Sequence, residues 1–456
     1  MQHEAEQSRD TQAQSAAEAG EIGMPQARRA QRPDRDARAL LRWFNLAPRF
    51  YEQSSLRTQR EIWRLMAFAM GERPPVASVE THTIDGPAGP IEMRVFSAHP
   101  SDKPRPAFLW CHGGGFLVGG LDTADSICRT IARDVDCVAI AVRYRLAPEH
   151  ELTAGREDFL AALEWVAKNG ATLGIDTGRL AIGGDSAGGN ICAAVAQGAR
   201  SRGLNLCLQV LAYPATDLEA EFPSLSENER GFLIDARMLD KIKTTINTKL
   251  DGSDPWLSPR RSPDLRGLPP AIIISAGFDP IRDDGLDYGA RLRRAGVPVQ
   301  LVHYAGQFHG FLNFDSVIGA GHNALAQIGA ALTAAFRGDP AANRTIEIAD
   351  PTAIAAPLML RTAKEFAATT LLGWATAERL GLTLLGRLSA TVGNATLLLL
   401  ASSLVPGAFL YRSIANVDRP NARQTFPAAL GQDDPPAGGS KGVAPRPAAN
   451  RQGNIT

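Results

Sequence analysis

The stretch Gly184-Asp185-Ser186-Ala187-Gly188-Gly189 follows the apolar run 180–183 and leads into an apolar stretch of helical character, 190–201. A serine flanked by glycines two positions before and two after, at a strand-to-helix junction, is the signature of a nucleophile elbow. The sharp turn forces the serine backbone into a strained conformation, so bulk is excluded on either side and the hydroxyl stands above the sheet edge. The helix that follows directs its positive dipole end at the same point.

Working outward, His112-Gly113-Gly114-Gly115-Phe116 comes directly after the apolar run 107–111. The alternative is a flexible turn. Consecutive glycines at the end of a sheet strand instead let backbone N–H groups approach a developing oxyanion with no side chain in the way. The expected donors are Gly114 and Gly115, joined by Ala187 from the residue after the serine. His112 is read as a support that hydrogen-bonds neighbouring backbone and transfers no proton. Glu149 with Arg145 is expected to tie a loop nearby.

A serine hydroxyl is a weak nucleophile near neutral pH, so a base and an orienting acid must exist. After the run 271–275 comes Asp279, with Asp283 and Asp284 close behind, and after the run 299–304 comes Gln307-Phe308-His309-Gly310-Phe311. Each lies just past a strand end, where open parallel sheets place their active groups. Of the eight histidines, His309 is the best placed, since His3 lies in the N-terminal extension, His112 in the glycine motif, and His82 and His99 in an early hairpin. For the acid, Asp279 is favoured over Asp283 and Asp284, whose charges could instead balance a helix N-terminus.

Around these motifs, runs at 78–84, 91–97, 107–111, 137–142, 180–183, 206–212, 271–275 and 299–304 read as strands. Helical stretches at 123–134, 156–168, 190–201, 286–294 and 323–336 separate them. Continuous apolar strands alternating with helices define an α/β domain with a mostly parallel, doubly wound central sheet. The expected division is a disordered extension at 1–39 and the α/β domain at 40–337, with short helices in 40–75 and an extra helical insertion, a candidate lid, at 219–250. An apolar helical extension at 338–417 and a disordered tail at 418–456 complete it.

The motifs together resemble the hormone-sensitive-lipase-like branch of the α/β-hydrolases, which includes many bacterial carboxylesterases. The match rests on residues 112–115, Tyr144-Arg145-Leu146-Ala147-Pro148-Glu149-His150, 184–189, Tyr213-Pro214, 279–285 and His309-Gly310-Phe311, and it spans about residues 40–337. The resemblance implies an α/β-hydrolase fold with Ser186 as nucleophile, His309 as base and then acid, and Asp279 as orienting carboxylate. It likewise implies Gly114, Gly115 and Ala187 as oxyanion donors, no metal or organic cofactor, and a small ester as substrate. A cap from the N-terminal helices and the 219–250 insertion would shape the acyl and alcohol pockets. Lys241, Lys243 and Thr244 stand where members of that family frequently carry large aromatics.

Charge narrows the field. Forty-eight basic residues balance 48 acidic ones, so no sequence-independent attraction to nucleic acid is expected. The five cysteines show no C-x-x-C spacing, which speaks against a zinc site or a disulfide framework and for a reducing compartment. The N-terminus lacks an apolar signal region, so a cytoplasmic location is expected. Residues 388–411 carry no charge and are long enough to span a bilayer, yet nine Ser, Thr, Asn, Gly and Pro residues dilute them. For 357–411 three readings stand: packing on the hydrolase or another subunit, reversible attachment to a lipid or storage-granule surface, and a membrane span. Among other functions, an amidase, formamidase or carbohydrate deacetylase would use the same triad. A non-catalytic receptor or a surface scaffold would not need it. Oligomeric state and acyl-chain preference are not encoded legibly.

Overall fold

The computed structural model describes residues 25, 28–46, 54–246, 251–348 and 432–433. In chain order its elements are α1 (Arg35–Leu46), α2 (Leu56–Met70), β1 (Ser78–Gly86), β2 (Gly89–Ser97), β3 (Arg105–Cys111), α3 (Leu121–Val135), β4 (Val138–Val142) and α4 (Leu152–Asn169). There follow β5 (Ile175–Asp185), α5 (Ala187–Ser201), β6 (Leu208–Ala212), α6 (Pro223–Glu227), α7 (Ala236–Ile246), β7 (Ala271–Phe278), α8 (Arg282–Arg294), β8 (Val299–Phe308), α9 (Gly319–Arg337), β9 (Arg344–Ile348) and β10 (Gln432–Asp433).

The strands form one sheet in the order β1-β2-β4-β3-β5-β6-β7-β8-β9-β10. It is antiparallel from β1 to β4, parallel from β4 through β9, and antiparallel again at β10. Strand periodicity splits the core into two layers. In β3, Leu109 and Cys111 join Phe159, Leu163 and Ile191 under α4 and α5, while Phe108 and Trp110 join Ile127, Ile131 and Ile328 under α3 and α9. In β7, Ile273 faces the first layer, and Ile272 and Ile274 the second. A strand buried on both faces needs apolar residues at every position, which is why these segments read as unbroken apolar runs.

Two expected boundaries shift. Residues 28–39, expected to be disordered, are ordered: the segment lies along the end of β8, with Ala30 N donating to Ala305 O (2.9 Å) and Asp34 N to Gly306 O (2.8 Å). Asp34 is buried and accepts from Gln307 Nε2 at 2.7 Å. Polar composition hides this, because the strap is held by backbone bonds and by polar side chains, Arg29, Asp34 and Asp36 among them, rather than by an apolar period. At the other end, β9 continues the parallel sheet beyond residue 337 by pairing with β8. The expected extension beyond 348 and the 418–456 tail lie outside the described residues, apart from 432–433. No helix among the described residues is long and apolar enough to cross a membrane.

Candidate active site

Ser186 occupies the turn between β5 and α5 with φ 55° and ψ −120°. This is a left-handed conformation that costs a non-glycine residue on the order of 1–3 kcal/mol. The turn closes because its flanks are bare. A Cβ on Gly184 would lie 2.6 Å from Cys111 O, and one on Gly188 would lie 2.1 Å from Cys111 O and 2.6 Å from His112 O. Those neighbours are backbone atoms of the adjoining loop and cannot step aside.

Asp279 immediately follows β7 and His309 immediately follows β8, so the sheet order β5-β6-β7-β8 brings three distant segments to one edge. Ser186 Oγ lies 2.8 Å from His309 Nε2, and His309 Nδ1 lies 2.8 Å from Asp279 Oδ2. With the carboxylate ionised, Nδ1 carries the proton and Nε2 offers its lone pair to the serine hydroxyl. Asp279 is fully buried, and its second oxygen accepts from Ile281 N at 2.8 Å. The ring of Tyr213, which follows β6, packs against the imidazole at 4.8 Å. Asp283 and Asp284 are committed elsewhere: Asp283 to Arg282 and Ser224 N, Asp284 to the N–H and hydroxyl of Thr216. Burial pushes the Asp284 carboxyl up to about 7, against the pull of those hydrogen bonds.

The glycine loop lies against the elbow. Gly114 (φ 122°) and Gly115 (φ 59°) adopt conformations that L side chains rarely take, and a Cβ on Gly114 would sit 2.2 Å from Val118 O. Among the described residues, none accepts the amide hydrogens of Gly114, Gly115 or Ala187. His112 donates from Nδ1 to Gly113 O at 2.9 Å and stacks on Tyr144 at 4.4 Å, while the Tyr144 hydroxyl donates to His112 O at 2.8 Å. Burial lowers the pKa of His112 to about 4, leaving the ring neutral.

Two polar residues in this region carry no strong sequence signal. Asp185, at the variable position before the serine, accepts from Gly113 N (2.8 Å) and from Asn313 Nδ2 (2.9 Å), joining elbow, glycine loop and the segment after His309. Burial raises its pKa. Asn228 donates from Nδ2 to Asp279 O (3.0 Å) and Gly277 O (3.3 Å) and accepts from Arg29 Nη1 (3.2 Å). The guanidinium of Arg29 lies 4.8 Å over Phe278. Only the G-x-S-x-G context could have flagged Asp185, and nothing local flags Asn228.

The expected Arg145–Glu149 tie is not formed. Arg145 pairs with buried Asp158 of α4 at 2.8 Å, and Glu149 receives both terminal nitrogens of Arg60 from α2 at 2.7 Å. Arg60 also donates to Leu117 O and Ala147 O, so α2 is laced to the loop beside the glycines. α7 lies over that loop, with Ile242 Cδ1 only 2.7 Å from where a Gly115 Cβ would stand. Lys241, Lys243 and Thr244 are exposed, whereas Ile242 and Ile246 pack against the core. The inner face of this helix is therefore aliphatic, and Lys241, Lys243 and Thr244 lie on its outer face.

An elbow serine, a histidine and a buried carboxylate at a sheet edge, beside a bare glycine loop, define a serine hydrolase of α/β-hydrolase architecture. The family described as alpha/beta hydrolase fold matches residues 108–313. Esterase LipI of Mycobacterium tuberculosis is 41% identical over 251 residues, covering 54% of this chain and 78% of the relative. Ethyl acetate hydrolase of Pseudomonas putida is 34% identical over 292 residues, covering 63% of this chain and 88% of the relative. Among solved structures, an alpha/beta hydrolase enzyme from the metagenome of Lake Arreo, Spain, superposes with a TM-score of 0.64 at 34% identity, covering 66% of this chain and 98% of that one. The chain belongs to the hormone-sensitive-lipase-like family of α/β-hydrolases.

Proposed function

We propose that the protein is a serine carboxylester hydrolase that works through an acyl-enzyme on small or short-to-medium acyl esters. The observation that carries this reading is the unbroken relay Ser186–His309–Asp279, with 2.8 Å at each step and the serine in an elbow conformation. Ser186 Oγ attacks the ester carbonyl as His309 Nε2 takes its proton. The resulting oxyanion receives hydrogen bonds from the N–H groups of Gly114, Gly115 and Ala187, where loss of one donor typically costs about 3–4 kcal/mol of transition-state stabilisation. The C–O bond to the alcohol breaks as His309 returns the proton to it, leaving the acyl group on Ser186. Water, deprotonated by His309, then adds to the acyl carbonyl, and collapse releases the acid and returns the proton to Ser186. No step requires a metal or organic cofactor.

The names of the relatives, an esterase and an ethyl acetate hydrolase, support the ester class. The aliphatic inner face of α7, close over Gly115, supports a short acyl group. For the segment 357–411, outside the described residues, packing on the hydrolase or on another subunit is the leading reading, with reversible attachment to a lipid or granule surface as the alternative that sedimentation tests. The test is turnover of p-nitrophenyl esters from two to sixteen carbons by the full chain and by Ser186→Ala, with sedimentation on lipid vesicles in parallel. Ordinary turnover by a folded Ser186→Ala would sink the assignment.

A further inference from the structure

We propose that the buried guanidinium of Arg156 supplies a fixed positive field behind the glycine loop and stabilises the negative charge that develops on a substrate carbonyl oxygen above Ser186. This rests on the ester-hydrolase reading. Arg156 lies on α4 and is completely buried. Its hydrogen-bonding partners are all neutral: Nη1 donates to Leu152 O at 2.5 Å, and Nη2 donates to Asn190 Oδ1 and, at 3.3 Å, to Leu257 O. The charge also lies 5.3 Å over the ring of Phe116. Among the described residues no carboxylate lies within ion-pair distance of it, and its Nε has no acceptor.

Burying a charge without a counter-ion is among the costlier arrangements a core can hold, and an apolar residue of similar volume would fill the space without that cost. Its position gives the charge a use. Asn190 lies one helical turn beyond Ser186 on α5, and Phe116 is the residue after Gly115. Arg156 therefore touches a neighbour of each half of the proposed oxyanion site, Asn190 on the elbow helix and Phe116 after the glycines, and none of its contacts is to Gly114, Gly115 or Ala187 themselves. A neighbouring carboxylate would cancel the field at this range, whereas carbonyl partners leave it largely intact. Cys111 and Tyr144 face the guanidinium and are neutral, and the charged group that acts on it, Asp254, is exposed to solvent. Burial lowers the pKa of Arg156 only to about 10, so it stays charged near neutral pH. A unit charge on the order of 10 Å from the oxyanion, at the effective dielectric of about 20 that describes protein interiors, alters the rate about tenfold.

The experiment compares the full-length wild type with Arg156→Met, Arg156→Lys and Asn190→Asp. It measures kcat and KM for p-nitrophenyl acetate on titrated active sites, and the affinity of an alkylboronic acid that becomes a tetrahedral anion on the serine. For Arg156→Met the expected result is an about tenfold lower kcat, unchanged KM, and a matching about tenfold loss of boronate affinity. Arg156→Lys should stay within about threefold of wild type. Asn190→Asp sets a carboxylate against the guanidinium and should reproduce the loss in kcat with the charge still present. A folded Arg156→Met that keeps both kcat and boronate affinity within twofold overturns the proposal. So does a kcat loss with boronate affinity unchanged, which would mark Arg156 as a mere tie between α5 and the segment at Leu257. If Arg156→Met does not fold, wild-type kcat in Asn190→Asp overturns it. Failure of the underlying reading looks different: wild type itself shows no ester turnover, or Ser186→Ala retains it.

Discussion

Replacing Asp279 by asparagine tests the site at its most buried point. The carboxylate has two oxygens and two donors, His309 Nδ1 at 2.8 Å and Ile281 N at 2.8 Å. Asparagine has the same shape but one oxygen. If that oxygen stays with the Ile281 amide, the NH₂ group faces Nδ1, which must then lose its proton. The proton moves to Nε2, and Ser186 Oγ, 2.8 Å away, loses its acceptor. If the amide flips, the Ile281 N–H faces an NH₂ group in a fully buried setting, at a cost of about 1–3 kcal/mol, and the imidazolium formed during turnover still lacks its counter-charge. In serine hydrolases this exchange lowers kcat by about 10⁴-fold, equivalent to about 5.4 kcal/mol at 1.36 kcal/mol per decade. The assay is kcat for p-nitrophenyl acetate across pH 6–10, with circular dichroism to establish folding. A folded Asp279→Asn within tenfold of wild type would refute the tautomer argument and leave the orienting group unassigned, because Asp283 and Asp284 are already bound to Arg282 and Thr216.

Four further outcomes are expected. Gly188→Ala, whose Cβ would meet Cys111 O at 2.1 Å, should lower thermal stability by several kcal/mol or displace the glycine loop, and turnover should fall at least a hundredfold. Asn228→Ala leaves the buried carbonyls of Asp279 and Gly277 without this donor, so chemical denaturation should show a loss of about 2–4 kcal/mol and kcat should fall more than KM rises. His112 and Asp284 should tilt the pH dependence of stability in opposite senses. The folded-state pKa of His112 lies below its unfolded value, at about 4, so it contributes stability above about 6.5 that is lost as pH falls through 4; His112→Asn should remove that acid loss in denaturation curves between pH 4 and 7. The Asp284 carboxyl is raised to about 7, so its contribution is fully present below about 3.8 and lost as pH rises through 7; Asp284→Asn should flatten that decline, the slope being the readout rather than the absolute stability.

The sequence revealed those parts of the molecule whose physical demands are local. Strands buried on both faces appear as apolar runs, and an elbow must carry small residues at fixed offsets, so Gly184, Ser186 and Gly188 announce themselves. His309 and Asp279 could be picked out because a parallel sheet places its reactive groups past strand ends, a rule of topology rather than of neighbours. What escaped depends on pairs far apart in sequence. Residues 28–36 are polar and aperiodic, and their partners, on β8, at Asn228 and at Gly319, are all far away in sequence. The partners of Arg145 and Glu149 are hidden from sequence for the same reason: charge complementarity within one motif is visible, whereas Arg60 on α2 and Asp158 on α4 become neighbours only after folding. Cap composition was legible, but which face of α7 turns inward was not, and it is Ile242 rather than the adjacent lysines that meets the glycine loop.

The strap at residues 28–36 has a consequence for how the molecule comes to exist. It is made long before partners that belong to the far end of the hydrolase body: Gln307 for Asp34, 273 residues later, and the Gly319 amide for Asp36, 283 residues later. Gly306, where a Cβ would strike Asp34, must also arrive before the strap can seat. The strap therefore seats on β8 only after that strand has been made, and its docking joins distant parts of the hydrolase body beside the strand that leads into His309. Deletion of residues 28–36 would leave the elbow and the glycine loop chemically intact and remove the clasp along β8.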